Sequence, residues 1–252
     1  MSRELQLVRG AFPDDAALGT AVSHAILQRV ASGELPETFR LGRPGRVIAF
    51  GRQDVASPGY TRAVAAARSA GFQPVERLAG GRAAPYTEGT MSFSWARADD
   101  KPARNTRLRF AETAELIRDA LVSLGVDARI GEVPGEYCPG AFSVNAGGTR
   151  KLAGIGQRLI KGAAHVGGVL AVNGSADLRE ALTPIYSALE IDWDPAATGS
   201  VDEAVPGLTV ADAESAIVAA LNESFEITEV GFDEETLELA CRLTADHTSP
   251  VG

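Results

Sequence analysis

One of the chain's two cysteines stands in a setting that suits a nucleophile. Cys138 lies in Gly135-Glu136-Tyr137-Cys138-Pro139-Gly140, between backbone breakers that put it on a loop. Lys151 follows thirteen residues later, at the start of a glycine-containing apolar run. The thiolate is the reactive form of cysteine, and a neighbouring cation favours it. A packed structural cysteine is the competing reading, and the local sequence leaves both open. Cys241 differs: it sits in a plain helical pattern and reads as packed or idle. A second constellation is Arg77-Leu78-Ala79-Gly80-Gly81-Arg82-Ala83, a glycine turn leaving a strand between two arginines. Adjacent glycines let backbone N–H groups approach a ligand, and arginine binds a carboxylate, a phosphate or a polarised carbonyl. A hairpin turn with surface arginines is the plainer alternative. The motif is neither a dinucleotide fingerprint nor a phosphate-binding P-loop.

The remaining chemistry-bearing residues narrow the options. His24 falls in a helical stretch and His247 near the chain end, both read as solvated or packing residues. His165 precedes Gly167-Gly168 and is the histidine of interest, although a satisfied structural histidine is the commoner case. No cluster has metal-ligand spacing, so no metal is expected. No Gly-x-Ser-x-Gly elbow occurs.

Composition bounds the setting. With 252 residues, 45% hydrophobic and 23% charged, the chain is an ordinary globular protein with ample length for a core. No apolar run approaches the ~20 residues of a membrane helix, and the first residues lack a signal-peptide pattern. Two thiols with no pairing scheme agree with a reducing compartment, so the expectation is a cytoplasmic protein that engages neither membrane nor nucleic acid. A net charge of −9 argues against a nucleic-acid binder. The charge is uneven: Arg150, Lys151, Arg158 and Lys161 fall in one acid-free stretch, while 190–238 holds acids and no Lys or Arg. The basic stretch is the expected face for an acidic partner; surface charge without a role is the alternative.

Periodicity supplies the elements that position these residues. Apolar spacing predicts a helix from Pro13 to Gly33, a helix over 60–70 and a helix over 110–124. Strands are expected at 38–41, 46–50, 75–78 and 91–95, then at 128–133, 141–144, 152–160 and 165–172. Gly167-Gly168 predicts a bulge or a close backbone approach in the last of these. A helix starts at Ser175, 195–207 reads as loop, and helices at 210–225 and 233–244 close the chain. The pattern is α+β, a mixed or antiparallel central sheet flanked by helices. The division expected is a catalytic domain over 1–205 and a C-terminal helical annex of the same domain over 206–252.

Taken together, Phe50-Gly51-Arg52-Gln53, the Arg77-x-x-Gly80-Gly81-x-Ala83 loop and Lys151-Leu152-Ala153-Gly154-Ile155-Gly156-Gln157-Arg158 resemble the biotin/lipoate A/B protein ligase family over about residues 39–201. Within it, Glu136-Tyr137-Cys138-Pro139-Gly140 is most similar to the cysteine-dependent octanoyl-[glycine cleavage H protein]:protein N-octanoyltransferase branch, the lipoyl amidotransferases. Lipoate ligases usually carry a third glycine and a later His-Asp pair; here Arg82 follows the pair and Pro85-Tyr86-Thr87 fills the later stretch. Ala79 stands where the family often has serine.

The resemblance implies a ligase-like catalytic domain that moves an octanoyl or lipoyl group through a Cys138 thioester. Lys151 would contact the acyl carbonyl, and Arg77, Gly80, Gly81, Ala83, Gly154, Gln157 and His165 would form the acyl site. It implies lipoyl-domain partners: glycine cleavage H protein and the E2 subunits of 2-oxoacid dehydrogenases. No cofactor would be required. An apolar tunnel for an eight-carbon chain would gain ~5 kcal/mol from six methylenes at ~0.8 kcal/mol each. Two other readings remain: an ATP-dependent lipoate-protein ligase in which Cys138 is dispensable, and a noncatalytic lipoyl-domain or fatty-acid binding protein. The Cys138 loop, flanked by Gly135, Pro139 and Gly140, is expected to be mobile without substrate.

Overall fold

In the computed structural model, which describes residues 3–250, the apolar alternation of the strands folds into two sheets. The elements in chain order are β1 (Arg3–Arg9), α1 (Ala16–Ser32), β2 (Thr38–Gly42), β3 (Val47–Phe50), α2 (Arg52–Val55), α3 (Tyr60–Ser69), β4 (Gln73–Glu76), β5 (Ala84–Tyr86), β6 (Thr90–Ala98) and α4 (Thr106–Ser123). They continue with β7 (Ala128–Ile130), β8 (Val144–Ala146), β9 (Arg150–Ile160), β10 (Ala163–Ala171), α5 (Ser175–Ala188), α6 (Val201–Ala204), α7 (Val210–Asn222), β11 (Phe225–Val230) and α8 (Glu234–Leu243). The large sheet runs β11-β1-β2-β6-β10-β9-β8-β7, and the small one β4-β3-β5. β1 pairs in parallel with β11 and β2, and the rest of the large sheet is antiparallel.

Alternation along the central strands divides the work of the two faces. Phe39, Leu41, Phe93 and Trp95 point into a core with Ala114 and Ile117 of α4 and Ile217 of α7. The intervening Arg40 turns the other way and donates to the Gly19 carbonyl of α1 at 2.7 Å. Ala96 packs on the same side in a cluster with α1 and α8. A third cluster joins α3 and α5 to the small sheet and includes Tyr137 and Tyr186. Asp15 caps α1 by accepting the Leu18 N–H at 2.9 Å, and Gly33 ends it in the left-handed conformation.

Several expected boundaries change. β1 and β5 were not anticipated, although Leu5 and Leu7 alternate as a half-buried strand should. The helix expected over 210–225 stops at Asn222, and Phe225 begins β11 at the sheet edge. The expected helical annex over 206–252, described to residue 250, contains a strand that extends the main sheet through β1, and its α8 lies on α1. The expected loop at 195–207 holds a short 3-10 turn and α6. Pairing runs unbroken through Gly167 and Gly168, so there is no bulge there. The close-approach alternative describes it, since a Cβ on Gly168 would overlap the Gly154 carbonyl oxygen.

Candidate active site

Cys138 lies midway along the loop between β7 and β8, where it meets the turn after β4. Its backbone takes φ 43°, the left-handed region that costs a non-glycine residue roughly 1–2 kcal/mol. Such strain persists only where neighbours impose it. The Cys138 N–H donates to the Tyr186 hydroxyl at 2.9 Å, and that hydroxyl donates to the Ala83 carbonyl at 3.1 Å. On the other side the Cys138 carbonyl accepts from Lys151 Nζ at 2.8 Å. The loop expected to be mobile is thus pinned at its centre from α5 and β9.

The thiol is half-buried and faces two donors. Arg77 Nη2 and the Arg82 backbone N–H both lie 3.2 Å from Sγ. Burial by itself pushes the Cys138 thiol up, but the Arg77 guanidinium, then Lys151, then the Arg82 N–H outweigh it and hold the thiol below its ordinary value. Gly81 makes this approach possible. It sits at φ 97°, and a Cβ there would overlap Arg77 Nη2 and come within 2.9 Å of Sγ.

Lys151 is fully buried, and its three donors are all in use. They reach the Tyr137 and Cys138 carbonyls at 2.8 Å each and Glu136 Oε1 at 3.2 Å. Burial pulls the Lys151 amine down, opposed by the charges of Cys138 and Glu136. Lys151 therefore clamps the nucleophile loop by its backbone, where the sequence expectation aimed it at an acyl carbonyl. Gly154 leaves room for this clamp: a Cβ there would stand 3.2 Å from Lys151 Cε. Glu136 is the hub beneath, accepting from Gly140 N at 2.9 Å, Ser143 Oγ at 2.6 Å and Val133 N at 3.2 Å in addition to Lys151.

Behind the thiol a cavity of about 110 Å³ runs between α1, the small sheet and the polar face of the large sheet. Phe12, Val47, Val75, Leu78 and Phe93 line it, and Arg77 belongs both to its wall and to the thiol. His165 lines it too, buried and pushed down to about 3 by desolvation and then by the charge of Arg40, so its imidazole is neutral. Arg40 stands on the same wall without a carboxylate partner among the described residues, bonded to Gly19 O, Ser23 Oγ and Gly10 O. No group of three or more metal-ligating side chains occurs among the described residues.

The structure thus brings Cys138, Lys151, Arg77, Gly81 and Ala83 into one contact shell and sets His165 in the adjoining cavity. Gly80 stays beside them, its N–H donating to the Gln157 carbonyl at 3.4 Å. Gln157 does not bring its side chain to the thiol. It accepts from Arg109 Nε at 3.1 Å and donates to the Thr106 carbonyl at 2.7 Å, tying β9 to α4. The basic stretch 150–161 is not a continuous face either. Lys151 points inward, Arg158 is half-buried, and Arg150 begins the 11-residue strand while Lys161 follows its last residue, about 36 Å away at ~3.3 Å per residue.

Glu136, Tyr186 and Asp54 also frame the site, and none of them stands out in the sequence as a functional residue. Glu136 offered a signal, as an acid two residues before the thiol in a loop that a lysine must reach. Asp54 is buried, accepts the Gly51 N–H at 2.9 Å and stands 3.5 Å from Arg82 Nη1. Burial pushes its carboxyl up.

A cysteine with two donors on its sulfur, one of them from an arginine that also lines the adjoining cavity, has the arrangement of an activated thiol. Residues 15–222 match the lipoyl protein ligase A/B catalytic domain family, and the chain belongs to it. It is 32% identical over 165 residues to an octanoyl-[GcvH]:protein N-octanoyltransferase of Anoxybacillus flavithermus, covering 66% of this chain and 59% of that one. The Oceanobacillus iheyensis protein of the same name is 29% identical over 239 residues, 89% of this chain and 84% of that one. The chain spans less than two thirds of the first curated relatives it matches, 59% in the case of the Geobacillus kaustophilus protein. The fold is that of a bipartite lipoate protein ligase from Thermoplasma acidophilum (TM-score 0.75, 19% identity, 96% of this chain and 92% of that one). A lipoate-protein ligase A bound with ATP is equally similar (TM-score 0.75, 20% identity, 97% and 95% covered).

Proposed function

We propose that the protein is an acyltransferase that moves an octanoyl group from a donor protein to the lysine of a lipoyl-domain acceptor through a Cys138 thioester. The observation that carries this reading is the thiol itself: Sγ lies 3.2 Å from both Arg77 Nη2 and the Arg82 N–H and is held towards the thiolate. The thiolate attacks the carbonyl carbon of the donor's octanoyl amide, and the C–N bond breaks as the leaving amine takes up a proton. The acceptor lysine, as the free amine, then attacks the thioester. The C–S bond breaks, Sγ leaves as thiolate, and the new amide sheds a proton. Bonds broken and formed match, so no ATP is consumed and no cofactor is required.

In this mechanism the two donors that hold the thiolate would also receive the oxyanion that develops beside it. Lys151 fixes the loop and adds positive charge behind it. The relatives' name supports octanoylated GcvH as donor and a protein as acceptor; lipoyl domains such as those of E2 subunits are the acceptors of this proposal. An ATP-dependent ligase on the same fold would leave Cys138 without a task, and a binding protein would not need an activated thiol. Among the described residues no helix is long and apolar enough to cross a membrane; cytoplasmic placement is part of this proposal.

The test is transfer from octanoylated H protein to an apo lipoyl domain without ATP. Transfer that is abolished in Cys138→Ser supports the reading. Acceptor acylation that requires ATP and octanoate and survives Cys138→Ser overturns it.

A further inference from the structure

An acyl-enzyme of this kind must dock the domain that offers the acceptor lysine, and the entry of α4 carries a cluster of exposed cations joined by packing to the Cys138 loop. Lys101, Arg104 and Arg107 are exposed at the entry of α4, and none of them is ion-paired among the described residues. The neighbouring arginines differ: Arg97 is held by Glu37 and Glu112, and Arg109 by Asp99. Leu108, 56% exposed, is one of two exposed large hydrophobic side chains on the described surface. Asp100 is the single exposed acid within this segment.

The placement works against the helix that carries it. α4 has no acid in its first turn and no side-chain cap from Asn105, yet Arg107 occupies that turn. Cations at a helix N-terminus oppose the dipole and cost stability, so folding does not account for them there.

The patch is physically continuous with the nucleophile loop. The Arg107 guanidinium lies 5.6 Å from the Phe142 ring centroid, and Phe142 stacks on Phe110 with centroids 5.3 Å apart. Phe142 belongs to the turn in which the Ser143 N–H donates to the Gly140 carbonyl at 3.0 Å and Ser143 Oγ to Glu136. Cys138 is four residues back, within about 14 Å along even an extended chain. A standard interface covers about 800 Å² per partner, roughly 28 Å on a side, and takes in both features.

We propose that Lys101, Arg104, Arg107 and Leu108 form the docking face for an acidic surface of the acceptor domain, so that its lysine meets the Cys138 thioester. This rests on the acyl-transfer reading. The protein's net charge of −9 repels an acidic partner at long range, and a local cluster of unpaired cations selects where and how that partner lands.

The test uses the full chain, an acidic apo lipoyl domain and the double variant Arg104→Glu/Arg107→Glu, with Leu108→Ser as a second variant and Arg150→Glu as control. Direct binding of the domain should weaken at least about tenfold in the double variant and less than about twofold in Arg150→Glu. Raising salt from about 50 to about 300 mM should weaken wild-type binding and leave the double variant nearly unchanged. Acylation of Cys138 by a small octanoyl thioester, and its discharge to hydroxylamine, should stay within about twofold of wild type, so that the loss appears in KM for the domain alone. Unchanged affinity in the double variant, or an equal loss with Arg150→Glu, overturns the assignment. Domain binding that depends on Arg104 and Arg107 while Cys138 is never acylated overturns the transfer reading and leaves the docking face standing.

Discussion

Replacing Arg77 by methionine removes the cation nearest the Cys138 sulfur while keeping a side chain of comparable length in the cavity wall. In the native site Arg77 Nη2 lies 3.2 Å from Sγ and is the foremost influence favouring the thiolate against burial. A hydrogen bond to a charged group is worth about 1.5–3 kcal/mol, and 1.36 kcal/mol corresponds to one pKa unit. The Cys138 thiol should therefore rise by about one to two units in Arg77→Met. The Arg82 N–H and Lys151 remain, so the rise is bounded. The sign is fixed by which form Arg77 favours. It stabilises the thiolate, so its loss means a higher pH is needed to reach the reactive form. At a pH below the native inflection the alkylation rate should fall about 10- to 100-fold, and above the variant's inflection the two rates should converge. The assay is the rate of iodoacetamide alkylation from pH 5 to 10 in a Cys241→Ser background, since Cys241 is exposed and would react as well. Thermal unfolding of the same sample shows whether the fold is kept. An inflection that moves by less than ~0.5 unit in a folded variant would refute the assignment of Arg77 as the main activator.

Other substitutions probe the frame around the thiol. Tyr186→Phe removes the acceptor of the Cys138 N–H and the donor to Ala83, leaving buried groups unpaired. It should cost about 1–3 kcal/mol in denaturant unfolding and slow Cys138 acylation, because the left-handed backbone at Cys138 loses a support. Gly81→Ala should slow acylation at least about tenfold in a protein that still folds, since the added carbon displaces Arg77 from Sγ; wild-type acylation rates in this variant would show that the close approach is unimportant. His165 is pushed down to about 3 and is already neutral at any working pH. His165→Gln should keep every inflection of the wild-type pH–rate profile between pH 5 and 8, whatever it does to KM for the acyl donor; a lost inflection near 6 would contradict this.

Cys138, Arg77 and the glycine pair were legible in the sequence because reactive residue types stood beside breakers that keep them out of regular elements. What Lys151 does was not legible. Its charge and position pointed to the site, but its direction depends on Glu136 and two carbonyls that the strand register places above it. Tyr186 carried no signal, since it reaches the loop across a separation of 48 residues from a helix whose pattern reads as plain packing. The same limit explains Gln157: it lies in the expected motif, yet β9 turns its side chain towards α4. In the fold, β11 was missed because its Phe225/Ile227 alternation follows the helical run of α7 after only two residues. The parallel pairing of β1 with β11 joins the two ends of the chain, which no local pattern encodes.

The central claim is that Cys138 itself carries the acyl group between two proteins. The most direct measurement is to treat the protein with octanoylated donor in the absence of ATP, separate it from the donor, and record its intact mass before and after adding apo lipoyl domain. One octanoyl group should be added to the protein, located on Cys138, released by hydroxylamine and passed to the acceptor lysine when the domain is added. A protein that gains no acyl group while transfer proceeds, or an adduct at Cys138 that the acceptor cannot discharge, would contradict it.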